Sequence, residues 1–168
     1  MKIRKNDIFL YGRKMLFQML EILYPRRCAV CDEIEVTGKG ICPLCKDKVH
    51  VAGEPACKKC GKPLVDERKE FCTDCGKKHH VYTQGKAVFV YEGGIRNSMY
   101  RFKYGNKREY AEFYANAAVE KYGVWLNKIK AEVLIPIPMY SRKKRLRGYN
   151  QAEVFARELG RKAGILVD

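Results

Sequence analysis

Eight cysteines stand in four Cys-x-x-Cys pairs: Cys28/Cys31, Cys42/Cys45, Cys57/Cys60 and Cys72/Cys75. Ten residues separate the first two pairs and eleven the last two, so one unit of pair, spacer and pair occurs twice. Two residues between thiolates let both sulfurs reach one ion at about 2.3 Å while the backbone turns around it. A spacer of this length reads as a β-hairpin that carries the second pair to the far side of a tetrahedron. Each unit therefore reads as a zinc ribbon, and the expected cofactors are two structural Zn2+ ions held by Cys28, Cys31, Cys42, Cys45, Cys57, Cys60, Cys72 and Cys75. Thiolate fills all four positions of each site, which leaves none open for water or substrate. Competing uses of the cysteines are four disulfides, a cross-braced pairing of alternate pairs, and redox exchange. The first lacks a secretion signal, and the last lacks a surrounding thioredoxin-like βαβ pattern.

A glycine just past the second cysteine of a pair eases the turn, because the backbone there tends to be left-handed. Gly61 and Gly76 supply it in the second unit, whereas Asp32 and Lys46 hold the matching places in the first, so the first ribbon is expected to be the less regular. His50, His79 and His80 are spare surface residues on this reading.

Residues 26–80 show no apolar periodicity that would build a core, so metal must hold them together. Before them, residues 1–25 read as an amphipathic lead-in helix. Asp7 is its N-cap, Ile8, Tyr11, Met15, Met19, Ile22 and Leu23 form its stripe, and Tyr24-Pro25 is its stop. Arg13, Lys14 and Glu21 interrupt the apolar runs before they reach signal-peptide or membrane-span length, so no transmembrane segment is expected and the expected location is the cytoplasm.

The formal charge of +15 counts cysteine as neutral. A tetrathiolate zinc site carries a net −2, so two sites lower the total to about +11. A surplus of this size is read either as a solvated surface or as an attraction to phosphate.

From residue 81 to 168 the pattern is that of an α/β fold. Lys86–Tyr91 reads as a strand and Glu92-Gly93-Gly94 as a turn. A short helix then buries Ile95, Met99 and Phe102 and closes at Gly105-Asn106. A second helix, from about Arg108 to Lys128, has Tyr110, Tyr114, Ala117, Ala118, Tyr122 and Trp125 as its buried stripe. Val133–Pro138 has the branched apolar run of a strand buried on both faces. A basic loop from Arg142 to Tyr149 follows. Asn150 N-caps a last helix, with Ala152, Phe155, Ala156 and Leu159 inward and an end between Gly160 and Gly164. The loop, lying between a buried strand and a helix N-terminus, is a candidate anion site.

The cysteine pairs, Tyr91-Glu92-Gly93-Gly94-Ile95-Arg96, Phe102-Lys103-Tyr104-Gly105, Ile135-Pro136-Ile137-Pro138 and Arg147-Gly148-Tyr149-Asn150-Gln151-Ala152 together resemble the ComF family over residues 24–166. These are phosphoribosyltransferase-like proteins associated with DNA uptake in natural competence. The resemblance implies tandem zinc ribbons, a small metal-bound β unit, followed by a partial α/β domain of the type I phosphoribosyltransferase fold. It also implies phosphoribosyl pyrophosphate (PRPP) as a ligand, with Arg142, Arg145, Arg147, Gly148 and Asn150 near its pyrophosphate and Lys103 as a further basic contact. Single-stranded DNA and competence proteins are the implied partners.

One departure bears on catalysis. The family's strand ending in two acidic residues, followed by a Thr/Gly-rich loop for the ribose phosphate, has no counterpart here, since the adjacent acidic pairs Asp32-Glu33 and Asp66-Glu67 lie in the ribbons. The expectation is therefore the N-terminal part of such a domain, with half the nucleotide site missing and catalysis by this chain alone unsupported. The Val133–Ile137 edge is expected to be exposed and prone to pair with another chain. The alternative reading is a single-stranded nucleic-acid-binding module without enzymatic activity, in which Lys58, Lys59, Lys62, Lys77 and Lys78 on the ribbons meet phosphate and nearby aromatics stack on bases.

Overall fold

A computed structural model describes Met19 and residues 23–168. Most of the lead-in helix expected over residues 1–25 lies outside the described residues.

The two cysteine units fold alike. In each, a tight turn wraps the first pair: Cys28 N–H donates to Glu33 O and Asp32 N–H to Cys28 O, and Cys57 N–H donates to Lys62 O and Gly61 N–H to Cys57 O, all at 2.8–2.9 Å. Single antiparallel bridges, Arg27 to Ile34 and Ala56 to Pro63, close these turns. The second pair begins a helical turn in both units, a 3-10 turn at Pro43–Lys48 and helix α1 at Thr73–Lys77. The hairpin expected in each spacer is thus confined to the knuckle around the first pair. In the first unit the rest of the spacer is tied down by buried Glu35, whose carboxylate accepts from Thr37 N–H at 2.5 Å and Gly40 N–H at 3.1 Å.

Four more helices follow: α2 (Gly93–Tyr104), α3 (Tyr110–Ile129), α4 (Ser141–Arg147) and α5 (Gln151–Ala163). Two short strands, β1 (Val133–Leu134) and β2 (Leu166–Val167), pair in parallel with Val133 opposite Leu166. Residues 81–168, where a partial α/β domain was expected, are mostly helical with few strands.

The strand expected at Lys86–Tyr91 is an extended segment joined to residues 50–52 by one bridge, Val51 to Phe89, with Ala52 N–H donating to Val88 O and Val90 N–H to His50 O. The strand expected over Val133–Pro138 stops at Leu134, because Pro136 and Pro138 have no N–H to give to a ladder. Nor is that run buried: Ile135 is 72% and Ile137 80% exposed. The basic loop is in fact helix α4, which ends at Gly148 with φ +80°. Asn150 does cap α5, its side-chain oxygen accepting from Ala152 N–H at 3.0 Å and its amide donating to Ile137 O at 3.1 Å.

The main core joins the first cysteine unit to the helices. Ala29 packs with Ile95, Phe102, Tyr110, Ala111, Phe113, Tyr114 and Tyr149, flanked by Ile41, Val49 and Phe89. Phe89 stacks on Phe113 with ring centres 5.4 Å apart, and buried Ser98 and Tyr114 share a hydrogen bond of 2.5 Å. Gly94, at the start of α2, sits so close to the first unit that a Cβ there would lie 2.7 Å from Val30 Cγ1. The segment at 85–87 carries the second unit: Gly61, with φ +76°, faces Ala87 N, and Ala87 O accepts from Tyr122 Oη at 2.7 Å and Lys121 Nζ at 3.0 Å.

Helix α5 lies along α3 and brings β2 against β1. A Cβ at Gly160 would stand 2.6 Å from Ile165 O and 2.7 Å from Val167 Cγ2. Gly160→Ala is therefore expected to dislodge β2, costing about 1–3 kcal/mol and lowering the thermal midpoint followed by circular dichroism. An unchanged midpoint would show that β2 adjusts freely.

Candidate functional site

The knuckle turns, bridges and helical turns bring four sulfurs together twice. Cys28, Cys31, Cys42 and Cys45 form one set and Cys57, Cys60, Cys72 and Cys75 the other, with all sulfurs of each set within 4.8 Å of one another. Consecutive pairs share a site, so the cross-braced alternative fails, and all eight cysteines are free thiols. The Cys31–Cys42 and Cys60–Cys72 Sγ separations are both 3.8 Å. Four sulfurs about 2.3 Å from a common centre, set tetrahedrally, stand about 3.8 Å apart. The chain carries two four-cysteine sites compatible with two structural zinc ions.

Their electrostatics fit a dication. Burial opposes ionisation of Cys28, yet N–H groups of Cys42, Cys31 and Val30 outweigh it and bring the thiol down to about 7. N–H groups of Cys72, Cys60 and Lys59 likewise bring Cys57 down to about 6 against its burial. Cys45 and Cys75 move the other way, to about 12, through burial and then the neighbouring sulfurs. Each set accommodates a first negative charge readily and resists the last until a divalent cation offsets them.

The expectation that glycine governs regularity needs correction. The left-handed residue follows the first pair of each unit, Asp32 at φ +69° and Gly61 at φ +76°; Gly76 and Lys46 sit in helical turns instead. Aspartate tolerates that conformation better than most residues, and here its carboxylate is also anchored, accepting from Tyr110 Oη at 2.6 Å and pairing with Lys107 Nζ at 2.8 Å. Burial opposes its ionisation, but Lys107 and Tyr110 outweigh this and hold the carboxyl below the usual aspartate range. Tyr110 was expected in the buried stripe of its helix, but nothing local in the sequence links it or Lys107 to a cysteine turn 75 or more residues away.

Residues 19–76 match the family described as the double zinc ribbon domain. No curated protein and no solved structure matches the chain. Among the described residues no helix is long and apolar enough to cross a membrane.

The second candidate region is a groove of about 430 Å³ at the carboxyl ends of β1 and β2, lined by Pro136, Lys144, Asn150, Glu153, Arg157 and Asp168 among others. Of the five residues expected near pyrophosphate, Asn150 lines it. Arg142 and Arg145 are exposed on α4, and Gly148 ends that helix. Arg147 lies over the Tyr104 ring at 4.7 Å and donates to Gln151 Oε1 at 2.5 Å, while Lys103 is half-buried in the last turn of α2. Lys144 and Arg157 both pair with Glu153, at 3.3 and 2.9 Å. Arg157, not anticipated, was findable: it stands four residues after Glu153 and seven after Asn150, on one helix face.

On the ribbons, Lys58 pairs with Glu70, and Lys62 lies 3.8 Å from Asp74. Lys59 Nζ stands 5.1 Å over Tyr82, which stacks on His80.

The two metal sites differ in what rests on them. The first shares its core with α2 and α3, whereas the second is attached through residues 85–87. Cys28→Ser is thus expected to lower the midpoint of helix unfolding, read at 222 nm, well beyond the effect of Cys57→Ser, each variant retaining one zinc per chain by native mass spectrometry. Equal losses would show the two ribbons to be energetically equivalent.

Proposed function

We propose that this chain is a ComF-like protein, in which the double zinc ribbon supports the N-terminal part of a phosphoribosyltransferase-type domain spanning residues 81–168 and holding the pyrophosphate of PRPP. The observation that carries this reading is the groove at the carboxyl ends of β1 and β2, with the Asn150-capped N-terminus of α5 opening into it. Parallel-strand units bind ligands beyond those ends, where a helix N-terminus adds free N–H groups and favourable dipole. Lys144 and Arg157 add cationic charge at the wall, and Arg142, Arg145 and Arg147 stand on the adjoining helix.

Lys144 and Arg157 are held by Glu153. An incoming pyrophosphate competes with that carboxylate for them, so binding is expected to weaken with added salt. The role proposed for these residues is ligand binding. A place in DNA uptake beside competence proteins follows from the resemblance alone, and a cytoplasmic location from the apolar runs that Arg13, Lys14 and Glu21 interrupt.

A second reading, in which the ribbons bind single-stranded nucleic acid, is favoured by the Lys59–Tyr82–His80 stack beside the second cysteine site. Here the zinc sites act as scaffolds, and the cation and rings supply the contacts.

Calorimetric titration of the zinc-loaded chain with PRPP tests the first reading. Arg147→Ala is expected to weaken binding about tenfold, or ~1.4 kcal/mol, with inorganic pyrophosphate competing for the same site. An absence of measurable heat with PRPP and pyrophosphate for the unaltered chain would overturn it.

A further inference from the structure

Between the 88–91 segment and helices α2, α3 and α5 lies a pit of about 320 Å³ that neither the zinc sites nor the groove uses. Buried Ile95, Phe102 and Tyr114 floor it, half-buried Phe89, Met99 and Phe155 wall it, and Tyr91, 63% exposed, belongs to its rim. Asn150, Glu153 and Arg157 of α5 line the groove, whereas Gln151, Ala152 and Phe155 of the same helix line the pit. The two cavities share no lining residue.

No charged side chain lines the pit, although residues 81–168 carry seventeen Lys and Arg against eight Asp and Glu. A charged ligand would lose its hydration there without a counter-charge, so the fitting ligand is neutral. The rings around it already meet at tilted and edge-on angles: Phe102 lies 5.4 Å from Tyr114 at 52°, and Phe89 6.4 Å from Tyr114 at 67°. An opening in such a cluster favours a further flat ring, and the Met99 thioether adds a soft contact at its edge. Polar capacity within the walls is small. Tyr114 Oη is bound to Ser98, and Gln151 Oε1 accepts from Arg147. That bond orients the Gln151 amide and leaves Nε2, engaged by no hydrogen bond among the described residues, to donate.

We propose that this pit binds a neutral aromatic heterocycle of one or two fused rings carrying a single acceptor. The ring lies against Phe89, Met99 and Phe155, and the acceptor meets Gln151 Nε2. The volume is at the lower end of small-molecule sites. Four separate segments enclose it, so a partner's helix or strand, which needs a continuous groove, has no track to follow. A second copy of a chain this basic meets like charge. A nucleobase, with several donors and acceptors along its edges, would leave most of them unpaired. The proposal stands without the PRPP reading, since no residue assigned to pyrophosphate lines the pit.

Quinoline, uncharged at neutral pH and carrying one acceptor nitrogen, is the probe. Its titration into the full zinc-loaded chain, followed by NMR of the methionine methyl groups, is expected to shift the Met99 signal with a Kd of about 1 mM or tighter. Met99→Leu assigns that signal by its loss. Indole, of the same size but with a donor in place of the acceptor, is expected to bind about threefold or more weakly. Saturation transfer to quinoline should vanish in Met99→Trp, which fills the pit. Phe155→Leu, which keeps apolar bulk and removes a ring, should weaken binding about threefold, and circular dichroism shows that each variant is folded. A Met99 signal unmoved by quinoline overturns the proposal, as does undiminished binding in folded Met99→Trp. So does equal affinity for indole, or tighter binding of adenine. A Met99 signal that moves on dilution of the chain alone assigns the pit to a second copy and overturns the proposal as well.

Discussion

Four thiolates at one point repel each other strongly, and the architecture of residues 26–76 depends on resolving that repulsion. Inward-facing N–H groups ease it at Cys28 and Cys57, where the thiols fall to about 7 and about 6. They do not reach all four sulfurs, and Cys45 and Cys75 rise to about 12. A divalent ion completes what the backbone begins. With few apolar residues of its own, each ribbon then has a fixed centre around which short turns suffice.

From that centre the first ribbon organises the helices. Ala29, one residue past a ligand, is wholly buried in the main core, and Asp32, one residue past the next ligand, receives Tyr110 from the start of α3 and Lys107 from the turn before it. Arg108 follows directly, covering the Tyr149 ring and donating to Gly148 O. A continuous path of contacts therefore links the first cysteine site to the turn between α4 and α5. The groove lies at that turn and draws on α4 through Lys144.

The legible parts of the sequence were those encoded over a few residues. Cysteine spacing named both sites and their partners, and Asn150 announced a helix that begins one residue later and ends at Gly164. The helices beginning near residues 93 and 110 followed from apolar periodicity. What escaped depends on distant partners. The run Arg142–Arg147 has no apolar stripe to mark it as a helix, yet it coils, with Lys144 N–H donating to Tyr140 O and Gly148 closing the end. The apolar run at 133–138 suggested a buried strand, but its two prolines cannot donate and its one partner among the described residues is two residues long. The tie between Asp32 and Lys107 joins residues with no shared local pattern.

The two ribbons differ in length by one residue, and the difference falls in the spacer between their cysteine pairs. One matching bond closes each spacer: Ala29 N–H to Gly40 O in one unit, Lys58 N–H to Glu70 O in the other. The ends of each spacer are pinned by metal ligands; buried Glu35 ties down the middle of the first, whereas residues 65–70 of the second are all exposed. The second unit thus contains a tolerant position, a place where added chain length leaves the coordination geometry intact. A fluorophore or affinity tag grafted between Asp66 and Lys69 would report on the second ribbon without burdening the centre that folds it.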